Sequence, residues 1–165
     1  MSSGMLESRT QEVWGLPPAG YFDPQPPRRV WALNVLLIDD DAADTALILN
    51  VLRRHPNVST ALATDAPEFA LRQLETGRQM RPDLVLLDIQ MPRLDGFAFL
   101  AALRRIPAMA AVPVVFLTTS CLSSDVAKTR QSTALLYVIK PETYLELQSR
   151  LNGVLRRVST GRWSQ

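Results

Sequence analysis

The sequence has little of the chemistry that builds disulfides, imidazole metal sites or membrane spans. Its 165 residues include one cysteine, Cys121, and one histidine, His55. A lone cysteine excludes an internal disulfide, and a lone histidine leaves a zinc site without the further imidazoles or thiolates that it needs. We interpret Cys121 as a small semi-buried residue and His55 as a surface residue at a helix end. No apolar run approaches the roughly twenty residues of a membrane span.

The chain also lacks a strong charge of one sign. It has 18 Lys and Arg against 16 Asp and Glu, a net charge of +2. Three arginine pairs fall in the last turns of predicted helices, where cations complement the helix dipole: Arg53-Arg54, Arg104-Arg105 and Arg156-Arg157. We therefore expect no nucleic-acid surface. The N-terminus lacks the apolar region of a secretory signal, which together with the single cysteine predicts a cytoplasmic protein.

Proline is concentrated in the N-terminal part of the chain. Residues 1–33 hold five of the twelve prolines and several bulky aromatic residues, with no apolar periodicity. We interpret this part as an extension, either an arm that docks on the domain or on a partner, or a tail without fixed contacts. Residues 34–158 form the predicted domain, and residues 159–165 form a short C-terminal tail. No separate output domain is expected within this length.

From position 34 onward, short apolar runs alternate with helical stretches. Such alternation predicts an α/β fold with a parallel sheet and crossover helices. The predicted strands lie near 34–39, 58–63, 83–88, 113–118 and 136–140. The predicted apolar helix stripes are Ala43, Leu47, Ile48, Val51 and Leu52; Phe99, Leu100, Leu103 and Ile106; and Leu147, Leu151, Val154, Leu155 and Val158. A further helix around 124–132 has few apolar anchors, so we expect it to be weakly held.

The predicted strands end in residues that suit phosphoryl chemistry. In open parallel sheets, ligands bind outside the carboxyl ends of the strands. Asp39 and Asp40 end the first strand, and adjacent carboxylates there favour a hard divalent cation, for which Mg²⁺ is the best fit. Asp88 ends the central strand and can act as a nucleophile that becomes an acyl phosphate. Thr118 and Lys140 would contact the phosphoryl oxygens. The nearby Asp41 and Asp44 are interpreted as helix caps.

These motifs together resemble the receiver domain of two-component response regulators. The matching pieces are Ile38-Asp39-Asp40, Leu87 to Pro92 with Asp95-Gly96, Leu117 to Ser120, and Tyr137 to Pro141. Thr118 lies 30 positions after Asp88, and Lys140 lies 22 positions after Thr118. The resemblance implies a flavodoxin-like, doubly wound, five-stranded parallel sheet with strand order 2-1-3-4-5. It also implies that a sensor histidine kinase, or a phosphotransfer protein, supplies the phosphoryl group.

The resemblance further implies roles for individual residues. Asp40 and Asp88 would bind magnesium directly, Asp39 through water, and Gln90 through its backbone carbonyl. Thr118 and Tyr137 would be the switch pair, and the face formed by the 124–132 helix, the last strand and the last helix would change its partner affinity. The Lys140-Pro141 peptide would be cis.

The narrower resemblance is to bacterial single-domain regulators of phytochrome-type kinases. It rests on Leu117 to Ser120, on the long loop before Asp83 and on the expected lack of an effector domain. It implies a homodimer formed through the last strand and helix. The chain would be a stand-alone phosphoacceptor, with no enzymatic activity beyond its own phosphorylation and dephosphorylation.

Two other functions are consistent with parts of the pattern. Phosphatases of the haloacid-dehalogenase type use a strand-end aspartate and Mg²⁺, but they need a second aspartate two residues later, where this chain has Gln90. A pseudo-receiver that serves only as a binding scaffold would not need the complete set of Asp39, Asp40, Asp88, Thr118 and Lys140. Both remain as alternatives.

Overall fold

The fold is a parallel sheet with helices on both faces. The computed structural model describes residues 32–78, 80–92, 94–119, 134 and 136–161. Its strands are β1 (Leu33–Ile38), β2 (Val58–Thr64), β3 (Leu84–Asp88), β4 (Val114–Thr118) and β5 (Leu136–Ile139). Its helices are α1 (Ala42–Arg54), α2 (Pro67–Glu75), α3 (Gly96–Arg105) and α4 (Tyr144–Ser159), with a short 3₁₀ turn at Pro107–Met109.

The strand order confirms the predicted fold. The five strands lie in the order β2-β1-β3-β4-β5 and every neighbouring pair is parallel. Each strand boundary falls within one residue of its predicted position. Strand β3 is central, and it pairs with β1 from Leu84 and with β4 up to Asp88. The ends of β1, β3 and β4 therefore meet at one edge of the sheet.

The core consists of two apolar layers, one on each face of the sheet. One layer joins the sheet to α1 and α4, with Leu37, Leu86 and Leu117 from the strands. The other joins it to α2 and α3, with Leu87 and Phe116 from the strands. Because successive side chains of a strand point to opposite faces, a strand covered on both sides needs apolar residues at every position. This explains the continuous apolar runs.

The helix ends are fixed by the side chains that the sequence places there. The Asp41 carboxylate accepts hydrogen bonds from the N–H groups of Ala43 and Asp44, which confirms it as the cap of α1. Asp95 caps α3, and Thr143 caps α4. The three arginine pairs occupy the last turns of α1, α3 and α4, as predicted. None of the described helices combines the length and hydropathy of a membrane-spanning segment.

Several expectations need correction. Ala43 and Leu47, predicted as part of the apolar stripe of α1, are exposed, and Leu47 is 46% exposed. Helix α1 contacts the sheet through Ile48, Val51 and Leu52 instead. Leu47 lies about 100° around the helix axis from Ile48 and therefore faces away from the sheet. Helix α2 is not predicted by the apolar stripes above, although its Pro67 at the first position is a helix-start signal.

The Lys140-Pro141 peptide is also not cis, since no described peptide bond is. The trans isomer is favoured by about 0.5–1 kcal/mol even before proline. In this geometry the Lys140 N–H donates to the Thr118 carbonyl at 2.7 Å and so extends the β4–β5 pairing. The predicted helix at 124–132 and the N-terminal extension up to residue 31 lie outside the described residues.

Candidate functional site

The carboxyl edge of the sheet gathers the predicted site residues. Asp39 follows the last residue of β1, Asp88 and Thr118 are the last residues of β3 and β4, and Lys140 follows β5. Asp39, Asp88 and Thr118 are among the few buried polar residues of the described chain, whereas Asp40 is exposed. The hydroxyl group of Thr118 and the carboxylates of Asp39 and Asp88 therefore lie together at a partly enclosed edge of the sheet.

Three carboxylates lie close enough to share one cation. Oxygens of Asp39, Asp40 and Asp88 lie within 4.8 Å of one another. Two of these carboxylates are buried, so their mutual repulsion is poorly screened by water. Hard oxygen ligands and uncompensated negative charge fit a divalent cation such as Mg²⁺, which typically binds through a small number of carboxylates and retains waters. The residues present therefore fit a magnesium site.

Lys140 reaches this cluster from the last strand. Its Nζ lies 2.7 Å from Asp39 Oδ2, 2.9 Å from Asp44 Oδ2 and 3.3 Å from Asp88 Oδ1. Burial by itself would lower the pKa of Lys140, but the hydrogen bonds to Asp39 and Asp44 and the charges of Asp39 and Asp88 raise it above its ordinary value. The ammonium group therefore stays charged, and it is available to pair with an anion at Asp88.

Burial dominates the electrostatics of the Asp88 carboxylate. It raises the pKa of Asp88 to about 6; the Lys140 charge opposes this rise, and the Asp39 charge adds to it. The pKa of Asp39 is also raised by burial, against the hydrogen bond from Lys140. Without a cation, the ionised site is thus a high-energy arrangement, because it holds more negative charge than one lysine can balance.

Backbone groups of the neighbouring loops orient the two buried carboxylates. The Gln90 N–H donates to Asp88 Oδ2 at 3.2 Å, and the Asp41 N–H donates to Asp39 Oδ1 at 2.9 Å. The loop after β3 closes tightly, since the Gly96 N–H donates to the Ile89 carbonyl at 3.0 Å. A Cβ at position 96 would lie 2.5 Å from the carbonyl oxygen of Asp88. Glycine is therefore required at the start of α3 for Asp88 to keep its place.

Asp44 is the site residue that the sequence does not assign. It is predicted above as a helix cap, but its carboxylate instead forms an ion pair with Lys140. A signal for this exists in the sequence, because Asp44 lies four and seven positions before Ile48 and Val51, which are buried. An acidic residue on the apolar stripe of α1, at the end nearest the strand termini, points toward the site.

The predicted switch residues occupy neighbouring strands. Thr118 is buried at the end of β4, and Tyr137 on β5 is paired in register with Phe116. Tyr137 is partly buried and packs against the apolar layer on the α2 and α3 side of the sheet. Their roles as a switch pair stay a prediction.

His55 lies away from this edge, at the C-terminal end of α1. Its backbone N–H donates to the Leu52 carbonyl, and its Nδ1 accepts from the Asn57 N–H at 3.1 Å. Burial, followed by the charge of Arg156, lowers the pKa of His55. The helix-end interpretation is confirmed. Cys121 lies outside the described residues.

Comparison with known proteins points to one family. The family model described as the response regulator receiver domain matches residues 35–152. The chain is 37% identical over 123 residues to the transcriptional regulatory protein AfsQ1 of Streptomyces coelicolor, which covers 74% of this chain and 51% of AfsQ1. It is 31% identical over 124 residues to the response regulator Rcp1 of Synechocystis sp., covering 73% of this chain and 84% of Rcp1. The chain spans about half the length of AfsQ1 and of the DNA-binding response regulator MtrA of Mycobacterium tuberculosis.

Solved structures give the same result. The Mn²⁺-bound form of Rcp1 superimposes with a TM-score of 0.67 at 28% identity, covering 74% of this chain and 91% of that one. The phosphorylated cyanobacterial phytochrome response regulator RcpA superimposes with a TM-score of 0.68, covering 76% and 92%. At 24% identity, RcpA supports the fold alone.

Proposed function

Because this chain belongs to the response regulator receiver family, we propose that it is a stand-alone regulator whose Asp88 accepts a phosphoryl group from a histidine kinase. The observation that carries this proposal is the position of Asp88. Its carboxylate is buried at the end of the central strand, lies within 4.8 Å of two further carboxylates and is 3.3 Å from the Lys140 ammonium. These are the components that an acyl-phosphate acceptor needs.

Mg²⁺ is the proposed cofactor. Asp39, Asp40 and Asp88, with the backbone carbonyl of Gln90, would hold it. When bound, the ion would neutralise the charge of the phosphoryl group and of the carboxylates. Rcp1 has been solved in a Mn²⁺-bound form, so a related protein binds a divalent ion.

The chemical step uses the residues of this chain as follows. A carboxylate oxygen of Asp88 attacks the phosphorus of a phosphohistidine in line with the P–N bond. The O–P bond forms as the P–N bond breaks, and the released imidazole nitrogen takes a proton from solvent. Lys140 and Thr118 donate hydrogen bonds to the phosphoryl oxygens, Lys140 with its full charge. Lys140 already lies 3.3 Å from Asp88 Oδ1, so this donor needs little reorganisation.

Phosphorylation is proposed to shift the protein between two conformations. In this proposal Thr118 moves toward the phosphoryl group and Tyr137 turns inward behind it. The face that changes would include β5, α4 and the segment between β4 and β5. A phosphoryl group can shift this equilibrium only through contacts that differ between the states, and Thr118 and Lys140 supply such contacts.

The partner we propose is a sensor histidine kinase, with a phytochrome-type kinase as the narrower candidate. The narrower candidate comes from the sequence motifs given in the sequence analysis; RcpA, a cyanobacterial phytochrome response regulator, shares the fold. AfsQ1 is named a transcriptional regulator, but this chain spans about half of it. The expected lack of nucleic-acid binding therefore stays a prediction.

A homodimer through β5 and α4 is also proposed. Strand β5 lies at one end of the sheet, and Leu145 at the start of α4 is 74% exposed. Edge strands and exposed apolar side chains are suited to association. Sedimentation with and without acetyl phosphate would test this: a monomer under both conditions would exclude the dimer.

The test of the function is phosphorylation by a small donor. Incubation with acetyl phosphate and Mg²⁺ should add a single base-labile phosphoryl group, detected by intact mass. Asp88→Asn should abolish the addition. The matched control is Asp95→Asn, which also removes a carboxylate from the loop after β3, while asparagine still caps α3.

Each other outcome has a distinct meaning. No labelling of the wild-type protein would favour the scaffold alternative. Labelling that persists in Asp88→Asn would place the acceptor elsewhere. Sustained release of phosphate from phosphomonoesters would favour the phosphatase alternative.

A further inference from the structure

Asp44 contacts the same Lys140 ammonium group as the cluster of Asp39, Asp40 and Asp88, but it is not a member of that cluster. Its Oδ2 accepts a hydrogen bond from Lys140 Nζ at 2.9 Å, alongside the bond to Asp39 at 2.7 Å. Among the residues that the structure describes, the three carboxylates close enough together to share a metal ion are Asp39, Asp40 and Asp88. Asp44 is therefore the partner of Lys140 that a metal ion would leave in place.

Lys140 and a divalent cation would draw on two of the same carboxylates, those of Asp39 and Asp88. In the structure the ammonium group contacts Asp39 and Asp88, which are two members of the cluster. The Lys140 side chain is only 8% exposed, so an ammonium group displaced from both would lose partners where water cannot replace them. A buried charge without a partner is strongly unfavourable. A divalent cation that weakens these two contacts would therefore leave Lys140 dependent on another acceptor.

Asp44 lies in the first turn of α1, where it can accept a hydrogen bond from Lys140. The Asp44 N–H donates to the capping carboxylate of Asp41 at 2.9 Å, which fixes the first turn. The Asp44 side chain remains 32% exposed at the rim of the site. An ammonium group is a multiple donor, so a bond from Lys140 to Asp44 leaves its other N–H groups for a phosphoryl oxygen.

We propose that Asp44 is a positioning residue that retains Lys140 when a divalent cation takes Asp39 and Asp88. The proposal rests on the metal binding of the proposed function. A role of Asp44 limited to the helix dipole would affect the stability of α1 but would not depend on Lys140. The proposed role predicts that Asp44 affects cation affinity through Lys140.

The experiment is a calorimetric titration with Mg²⁺ alone, without a phosphoryl donor. Asp44→Asn should raise the dissociation constant about fivefold to tenfold, because a charge-assisted hydrogen bond to the displaced ammonium is weakened. Asp44→Ala, which also removes the acceptor oxygen, should raise it further. Thermal unfolding in EDTA would establish that each variant is folded.

Asp41→Asn is the matched control. It removes one negative charge from the same turn, and asparagine caps a helix as well as aspartate does. The Asp41 carboxylate bonds to the N–H groups of Ala43 and Asp44, so this variant measures the through-space effect of the lost charge. We expect a change of at most about twofold, because the exposed charge is screened.

A second background tests whether Asp44 acts through the lysine. Lys140→Met keeps the side-chain length and removes the competing cation, so it should bind Mg²⁺ more tightly than the wild type. In this background Asp44→Asn should change the dissociation constant by no more than about twofold, as expected for additive, uncoupled sites.

Two results would overturn the proposal alone. One is an effect of Asp44→Asn no larger than that of Asp41→Asn; the other is an effect that persists undiminished in Lys140→Met. No Mg²⁺ binding by the wild-type protein would overturn the metal-dependent function and this proposal with it.

Discussion

The centre and the ends of the sheet contribute to the site in different ways. Strands β3 and β4 are buried at every position, whereas all four residues of β5 are partly exposed. At the other end, β2 exposes Leu62. Asp88 and Thr118 come from the buried centre, while Tyr137 and Lys140 come with β5. The Asp88 side of the site thus lies in the best-packed part of the domain.

This contrast shows what holds each half of the site in place. Asp88 is held by packing on both faces of its strand and by pairing with two neighbours. Strand β5 pairs in the sheet with β4, so the ammonium group of Lys140 depends more on its ion pairs. Elements with fewer buried contacts open and rearrange at lower cost. A fixed Asp88 carboxylate beside a more adjustable Lys140 ammonium group suits the proposed phosphorylation switch.

The largest effect on stability is expected at Gly96, where the packing around the central strand leaves no space for a Cβ. Gly96→Ala would place a Cβ 2.5 Å from the carbonyl oxygen of Asp88 and 3.0 Å from Cα of Ile89. Since backbone cannot yield as a side chain can, we expect a loss of about 3 kcal/mol in the free energy of unfolding. Phosphorylation by acetyl phosphate should fall as well. Urea unfolding and intact mass measure the two effects.

The control for Gly96→Ala is Gly153→Ala. Gly153 lies inside α4, and nothing lies within 4 Å of a Cβ built there. Alanine should stabilise this helix by about 0.5–1 kcal/mol. A Gly96→Ala variant as stable as the wild type would show that the backbone around Asp88 can accommodate a Cβ at position 96.

A matched pair of truncations compares β4 with β5 directly. Val115 and Val138 contribute to the same apolar layer, but Val115 is fully buried and Val138 only partly. Val115→Ala should cost about 2–3 kcal/mol of unfolding free energy, and Val138→Ala less than about 1 kcal/mol, because the edge site can relax. Equal costs in urea unfolding would contradict the difference between centre and end.

The smallest effect on stability is expected from the charge of the Asp88 carboxylate at the end of the central strand. Burial raises the pKa of Asp88 to about 6, so the folded state disfavours the carboxylate. The stability of the metal-free protein should therefore fall as the pH rises from about 4 to about 6 and then stay level. Asp88→Asn removes this penalty. In EDTA above pH 6 we expect the variant to be about 1–2 kcal/mol more stable.

The pH dependence supplies its own control. Below pH 4 the wild-type carboxyl group is protonated, so the two proteins should be equally stable. Added Mg²⁺ should stabilise the wild type more than the variant. A variant that is less stable than the wild type in EDTA at neutral pH would mean that Asp88 is stabilised by Lys140 more than it is destabilised by burial.

Much of the fold and the site could be predicted from local patterns. The apolar run before Asp88 predicts a strand covered on both faces, and Asp41 before an apolar stripe predicts a helix start. Helix α2 is harder to predict, because only Ala70 and Leu74 join Pro67 on its buried side. The exposure of Leu47 could not be predicted, since it depends on how far α1 is rotated about its axis against the sheet.

Residue order alone was enough to specify a parallel α/β domain with acidic, hydroxyl and basic residues at its strand ends, because periodicity and burial are local consequences of residue type. The simultaneous contacts of Lys140 with Asp39, Asp44 and Asp88 emerged only from the folded chain. These residues are separated by up to 101 positions in the chain. Their distances follow from the register of the strands and the rotation of α1, which are set when the whole core packs.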